Sequence, residues 1–435
     1  MRIPGAGRRT RVIILGQGRT IAEKILAAKS GTEARAGDTV ICTVDAALGT
    51  DASGPMAIDY FRQMGGDAVK DPARLVFALD HYAPPPTQKA AGHLKTVREF
   101  CAAQNIAVHE IGEGIGHQLI LESGRARPGA LVVGADSHAV TYGALNCFGT
   151  GIGSSDLAGA MLTSKVWLRI PETIHVNLEG CLSPGVSAKD AALALIGELG
   201  ADGAAYKALE FSDVGAAELS MDDRFVLANM SMECGAKAGL LDADAKTDAY
   251  LSGRTIEAYA PVSADIDAVY AETINLDLSN LAPQLAEPHH VDNVVGIEAG
   301  LGQVVDMVYL GTCTGGRASD FHDALRVLEA AGGTAPGVNL VITPASREVH
   351  MALLADGTLA GFAEMGAIIQ TPGCGSCCGT CGSVVADGMT VISTANRNFK
   401  GRMGNPNAEI WLASPASCAM AAARGVIADP REVLS

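Results

Sequence analysis

Aromatic side chains are scarce: 9 Phe, 8 Tyr and 2 Trp make up 4% of the 435 residues, so the 48% hydrophobic content is carried mostly by aliphatic residues. No run approaches the ~20 uninterrupted apolar residues of a membrane span, so a soluble protein is expected. Positive charge is also short. Lys plus Arg number 32 against 48 Asp plus Glu, a net charge of −16 that repels the phosphate backbone and argues against nucleic acid as a partner. Cysteine is too uneven for a secreted disulfide framework: there are 11, an odd number, and Cys42, Cys101, Cys147, Cys181, Cys234, Cys313 and Cys418 are scattered singly. A reducing, cytoplasmic setting is expected. Residues 1–16 carry Arg2, Arg8, Arg9 and Arg11 without an acid, yet the apolar part Val12 to Leu15 is too short for a secretory signal and reads as an extension. Gly149-Thr150-Gly151-Ile152-Gly153 lacks both the Lys-Ser/Thr ending of a phosphate loop and any G-x-G-x-x-G, so it reads as tight backbone packing.

What is present is an Ala/Val/Gly-rich α/β pattern, with 51 glycines, long enough for about three domains at roughly 150 residues each. Ile21, Ala22, Ile25 and Leu26 have helical period, with Glu23 and Lys24 opposite. Leu75 to Leu79 reads as a buried strand leaving into Asp80-His81, and Ala130 to Gly134 as a second leaving into Asp136-Ser137-His138. Val304 to Leu310 exits into Gly311-Thr312-Cys313-Thr314, and Gly366 to Ile369 exits toward Cys374. Polar chemistry thus gathers at strand exits, where open α/β sheets bind ligands. The expected division is an extension over 1–16, a first lobe over 17–171 with the acid-base pairs, and a middle lobe over 172–291. A third lobe, 292–435, carries the cysteine and anion loops.

Four cysteines, Cys374, Cys377, Cys378 and Cys381, fall among Gly373, Gly375, Gly379 and Gly382, a loop able to wrap closely round a metal-sulfur cluster. A zinc ribbon wants two separated Cys pairs, whereas the nearest further candidate is the lone Cys313. Three thiolates from two loops is the simpler count, and it leaves an iron with an open corner to act as a Lewis acid. A redox disulfide and a set of inert buried thiols are the competing readings; the three-thiolate count leaves Cys378 and Cys381 over, each a spare ligand or a structural thiol. In extended chain Asp136 and His138 face the same way, Ser137 the other. Asp80-His81 is a second acid-imidazole pair suited to proton transfer near neutral pH, and His117 sits among glycines. His93, His109, His322 and His350 read as structural. Asn396-Arg397-Asn398-Phe399-Lys400-Gly401-Arg402 concentrates three cations in an acidic chain, the composition of a carboxylate-binding loop.

Together, Val133-Gly134-Ala135-Asp136-Ser137-His138, Gly311-Thr312-Cys313-Thr314, Pro372-Gly373-Cys374-Gly375-x-Cys377 and Ser393-Thr394-Ala395-Asn396-Arg397-Asn398-Phe399-x-Gly401-Arg402 resemble the aconitase superfamily. Glu113-Gly114-Ile115-Gly116-His117-Gln118, Lys165 to Arg169 and Tyr206 to Phe211 look like its isopropylmalate dehydratase and homoaconitase branch. The resemblance implies three α/β/α lobes around a central cleft, with a [4Fe-4S] cluster on Cys313, Cys374 and Cys377. It implies proton and water handling by Asp80, His81, His117, Asp136, His138 and Glu210, and carboxylate binding by Ser137, Asn396, Arg397 and Arg402. The implied reaction is isomerisation of 2-isopropylmalate to 3-isopropylmalate by dehydration and rehydration. Homoaconitate, citramalate and 2,3-dimethylmalate are the alternative substrates, and an iron-sensing RNA-binding protein is the alternative of another class. The resemblance also implies that the swivel domain of full-length aconitases is supplied by a separate small-subunit polypeptide. Gly315 departs from the pattern, standing where an asparagine is usual.

Overall fold

The strand Leu75–Ala78 is buried along its whole length, as expected for an apolar run covered on both faces of a parallel sheet. In the computed structural model, which describes residues 17–255 and 257–434, it is one of five parallel strands. The expected extension over 1–16 lies outside the described residues. The order of this sheet is Ala107–His109, Leu75–Ala78, Ala46–Thr50, Leu131–Gly134, Phe148–Gly151. Chain order runs outward in one direction from Ala46–Thr50 and in the other from Leu131–Gly134. Between these two strands the crossovers reverse, leaving a crevice at their carboxyl ends.

A four-stranded parallel sheet follows, in the order Ala238–Leu241, Ala208–Ser212, Thr173–Glu179, Glu272–Asp277. The third sheet has seven strands. Its parallel part runs Glu409–Leu412, Thr390–Ser393, Met307–Leu310, Asn339–Ile342, Ile368–Ile369, with a second reversal between Met307–Leu310 and Thr390–Ser393. Gln284–Ala286, inside the span expected for the middle lobe, pairs antiparallel with Glu409–Leu412 and so belongs to the third sheet. An antiparallel ribbon of Thr39–Thr43 with Lys165–Arg169 completes the strands among the described residues.

The helices follow their local signals. Ile21–Ser30 begins at Thr20, whose side chain accepts from Glu23 N while Glu23 reaches back to the Thr20 amide. That capping box draws Glu23 inward, where helical periodicity alone placed it on the outer face. Ala188–Leu199 starts in the same way at Ser187 with Asp190, and is buried almost all round. One continuous apolar core joins side chains of all three sheets, from Leu48 and Val132 through Ile174 and Leu209 to Tyr309 and Val391. Such a core holds the strand exits of different sheets in fixed relation. Among the described residues no helix is long and apolar enough to cross a membrane.

Candidate active site

Strand exits of the first and third sheets meet at one site. The strand exits bring His81, His117, Asp136, His138, Cys313, Cys374, Cys377, Cys378, Asn396 and Arg402 onto the wall of a single pocket. Asp80, 1% exposed, sits 2.8 Å from His81 Nδ1 through one oxygen and accepts from the Gly116 amide at 2.8 Å through the other. His81 Nε2 lies 3.3 Å from Asp136, whose other oxygen is 3.0 Å from His117 Nε2. His117 Nδ1 in turn meets the Tyr142 hydroxyl at 3.1 Å. Asp80, His81, Asp136, His117 and Tyr142 thus form one unbroken chain of proton-exchanging groups. Burial opposes a charge on Asp136, but the His117 charge and hydrogen bonds from His117, His138 and His81 outweigh it and hold the carboxyl well below its usual range.

Asp136 and the His138 ring face one another as expected, with Nδ1 3.7 Å from the carboxylate, and the ring has a second, closer partner. Asp136 caps the 3₁₀ helix Ser137–Leu145, so the chain turns at the point where an extended run was expected. Asp136 also accepts from the His138 backbone amide at 3.0 Å, while the other ring nitrogen of His138, Nε2, lies 2.7 Å from Glu233. Glu233 also accepts from Arg397 Nε at 2.9 Å. Burial raises the Glu233 pKa, yet hydrogen bonding and charge from His138, together with Arg397, bring it below its ordinary value. Ser137 lines a neighbouring groove with Trp167 and Tyr206, and its hydroxyl lies 3.4 Å from His138 Nδ1. The turn packs closely because Gly151 lies beneath it, where a Cβ would come within 2.8 Å of the Asp136 carbonyl.

Glu210 is not brought to the pocket. Its carboxylate is buried between the Ile21 amide at 3.0 Å and the Tyr270 hydroxyl, because residues 208–212 form a central strand of the middle sheet rather than an exit loop. Burial lifts it from 4.5 to about 7 against those hydrogen bonds. The folded protein therefore binds this proton more tightly than the unfolded chain, and its contribution to stability declines as pH rises from about 4.5 to 7. In Glu210→Gln that part of the decline should vanish from chemical unfolding curves, while turnover stays within a few-fold of wild type. A collapse of turnover with the cluster retained would restore Glu210 to the chemistry.

All 11 cysteines are free thiols. Burial pushes Cys313 up to about 12 and Cys374 well above its ordinary value, so both need a nearby cation to ionise. The surroundings supply polar partners to sulfur: Asn396 Nδ2 lies 3.3 Å from Cys313 Sγ, and Arg402 Nη2 lies 3.3 Å from Cys377 Sγ. A mononuclear zinc site needs thiolates about 4 Å apart around one ion. Among the described residues no three cysteine sulfurs lie within 4.8 Å of one another. The groups that do come that close are mixed, Asp80-His81-Cys374 and His117-Asp136-His138, so three thiolates around one zinc is not the arrangement present, while three soft thiols with polar partners on one pocket suit the donor chemistry of an iron-sulfur cluster. Arg402 Nε is buried without an acceptor among the described residues, an open donor at the pocket wall.

Cys381 donates to the His81 and Gly375 carbonyls at 3.2 and 3.4 Å, a structural thiol that ties the cysteine loop to the acid-base chain. Cys378 lines the pocket, with Thr380 Oγ1 at 2.7 Å. Gly315 packs on Thr394, where an added Cβ would meet the Thr394 Cβ at 2.3 Å. Thr394 cannot swing away freely, since its hydroxyl accepts from the Gly311 amide and donates to the Gly311 carbonyl. Gly315→Ala should therefore cost about 1–3 kcal/mol by overpacking, read from chemical unfolding; unchanged stability would show that the loop relaxes.

Residues that sequence reasoning passed over also belong here. Asp51 accepts from the amides of His81 and Tyr82 at 3.1 and 2.8 Å. It obeys the same strand-exit rule as Asp80, following Ala46–Thr50, and that strand would have revealed it. Glu233 and Tyr142 carry no local signal, since only the fold brings them to histidines distant in sequence.

The aconitase family (aconitate hydratase) profile matches residues 23–304 and 299–425. Among relatives, the chain is 46% identical over 419 residues to the 3-isopropylmalate dehydratase large subunit 2 of Archaeoglobus fulgidus, spanning 96% of this chain and 100% of that protein. It is 44% identical to the 3-isopropylmalate dehydratase large subunit 1 of Methanopyrus kandleri over 418 residues, 96% of this chain and 100% of the relative. A solved structure, Thermococcus kodakaraensis aconitase X in its holo form, shares the fold with a TM-score of 0.52 at 14% identity, covering 87% of this chain and 88% of that one. The shared architecture, the matched profile and near-full-length identity lead to one conclusion: the chain belongs to the aconitase family and is a hydro-lyase of the aconitase type.

Proposed function

We propose that the chain is the large, cluster-binding subunit of a 3-isopropylmalate dehydratase, converting 2-isopropylmalate to 3-isopropylmalate by dehydration and rehydration. The observation that carries this reading is the meeting of Cys313, Cys374 and Cys377 with the Asp80-His81-Asp136-His117 chain on one pocket, in a protein 46% identical to a large subunit of that name. Cys313, Cys374 and Cys377 would hold a [4Fe-4S] cluster, which when bound supplies a Lewis-acidic iron for the substrate hydroxyl and an adjacent carboxylate.

The remaining chemistry belongs to the chain's own side chains. Arg402, with its unfilled Nε, and Asn396 orient substrate carboxylates at the pocket wall. His81 and His117, bridged by Asp136, are placed to deliver a proton to a departing hydroxyl and to recover one during rehydration. His138, held by Glu233, is the third proton-handling imidazole, and Arg397 steadies it by fixing Glu233. Ser137, displaced to the neighbouring groove, serves at the pocket's rim. Protons move through residues that start and end unchanged, so no net redox change is required.

The partner is a small-subunit polypeptide bearing the swivel domain, supported by relatives that are named large subunits and matched over their whole length. The compartment is the cytoplasm, in keeping with free thiols throughout. The discriminating experiment is an assay of the anaerobically reconstituted pair against 2-isopropylmalate, homoaconitate, citramalate and 2,3-dimethylmalate. The highest kcat/KM is expected on 2-isopropylmalate; preference for another acid would reassign the substrate.

A further inference from the structure

Lys189, in the helix Ala188–Leu199 of the middle lobe, is 1% exposed. Its three ammonium protons find three oxygens, the carbonyls of Ala395 at 2.6 Å and Thr394 at 3.0 Å and the Thr314 hydroxyl at 3.3 Å, with Met230 Sδ at 3.7 Å. Among the described residues no carboxylate lies within ion-pair distance of Nζ. Burial lowers the ammonium from 10.5 to about 8, with Cys313 first among the groups opposing that fall, so it keeps its proton at neutral pH. A buried ammonium without a carboxylate is costly unless another negative group compensates it. Two of its contacts identify where that group lies. Thr314 follows Cys313 in the chain, and Ala395 precedes Asn396, whose amide nitrogen reaches Cys313 Sγ and whose amide oxygen faces Cys377 Sγ at 3.7 Å.

We propose that Lys189 is the counter-ion and positioning residue of the cluster site: its ammonium balances the negative charge brought by three thiolates and pins the Cys313 and Asn396 loops together across the lobes. This inference rests on the cluster-binding reading above. Three thiolates outweigh the charge of an oxidised [4Fe-4S] core by one unit, and an added electron deepens the imbalance, so a fixed positive charge nearby favours the reduced form.

The test uses the full chain, reconstituted anaerobically and titrated reductively with electron paramagnetic resonance as the readout. Lys189→Gln keeps a hydrogen-bond donor but removes the charge, and the cluster midpoint potential should shift to more negative values. Lys189→Arg should keep the wild-type potential. Met230→Glu leaves Lys189 in place and neutralises it with a carboxylate; it should shift the potential in the same direction, and it guards against a Gln variant that fails to fold. Loss of the cluster in a folded Lys189→Gln, with retention in Lys189→Arg, would also support the proposal. Unshifted potentials in whichever neutralised variant folds would overturn it. A wild-type chain that takes up no cluster would instead overturn the functional reading.

Discussion

Cys374→Ser is expected to lose both iron and turnover, the largest effect of any single substitution here. The change replaces one atom, and the backbone amide at 374 can still donate to the Asp80 carbonyl at 3.0 Å, so the loop retains its anchor. What disappears is a soft, ionisable ligand: a serine hydroxyl gives up its proton far less readily than a thiol and binds iron-sulfur clusters poorly. Turnover should fall to background, with visible absorbance and acid-labile sulfide lost in parallel. A Cys374→Ser protein with normal iron content and activity would remove Cys374 from the ligand set.

Asp136→Asn should lower kcat by about 10²–10⁴-fold, the range for loss of a positioned proton-transfer group, while the cluster remains. Among the described residues Asp136 is the one carboxylate that touches both His81 and His117, and it also caps the turn carrying His138. An asparagine oxygen preserves the cap, but the amide nitrogen must then face an imidazole nitrogen, offering a donor where the chain requires an acceptor. Steady-state kinetics across pH, with iron content measured on the same preparation, check this. A kcat within a few-fold of wild type would show that the His81-Asp136-His117 chain does not move protons in the rate-limiting step.

Much of this site was visible before any coordinates, because it follows a local rule. Asp80, His81, Asp136 and Cys313 each stand just beyond a short apolar strand, and parallel sheets collect such exits at their crossover reversals. Cys374 and Cys377 identified themselves by spacing, and Arg402 by its place in a basic turn. The pairings were less legible. Two-residue spacing linked Asp136 to the His138 ring, which lies 3.7 Å away at Nδ1, but nothing local announced the closer partner at Nε2, Glu233, 95 positions away in sequence. Glu210 belonged to a motif of the family resemblance, yet its strand buries it against Tyr270 rather than opening into the cleft. Lys189 lay hidden in a helical run of Ala and Leu, because nothing local distinguishes a buried ammonium from a solvated one. Long-range contacts of this kind depend on how three sheets pack, and that information is distributed over the whole core.

Three thiolates on this chain would hold the cluster that the dehydration requires. The most direct measurement is the iron and acid-labile sulfide content of the anaerobically prepared chain, taken alongside its turnover of 2-isopropylmalate with the small subunit added. The stoichiometry of one [4Fe-4S] cluster per chain is expected, with activity that falls in step as the cluster is removed by oxidation and chelation. Full activity in a protein stripped of iron and sulfide would contradict it.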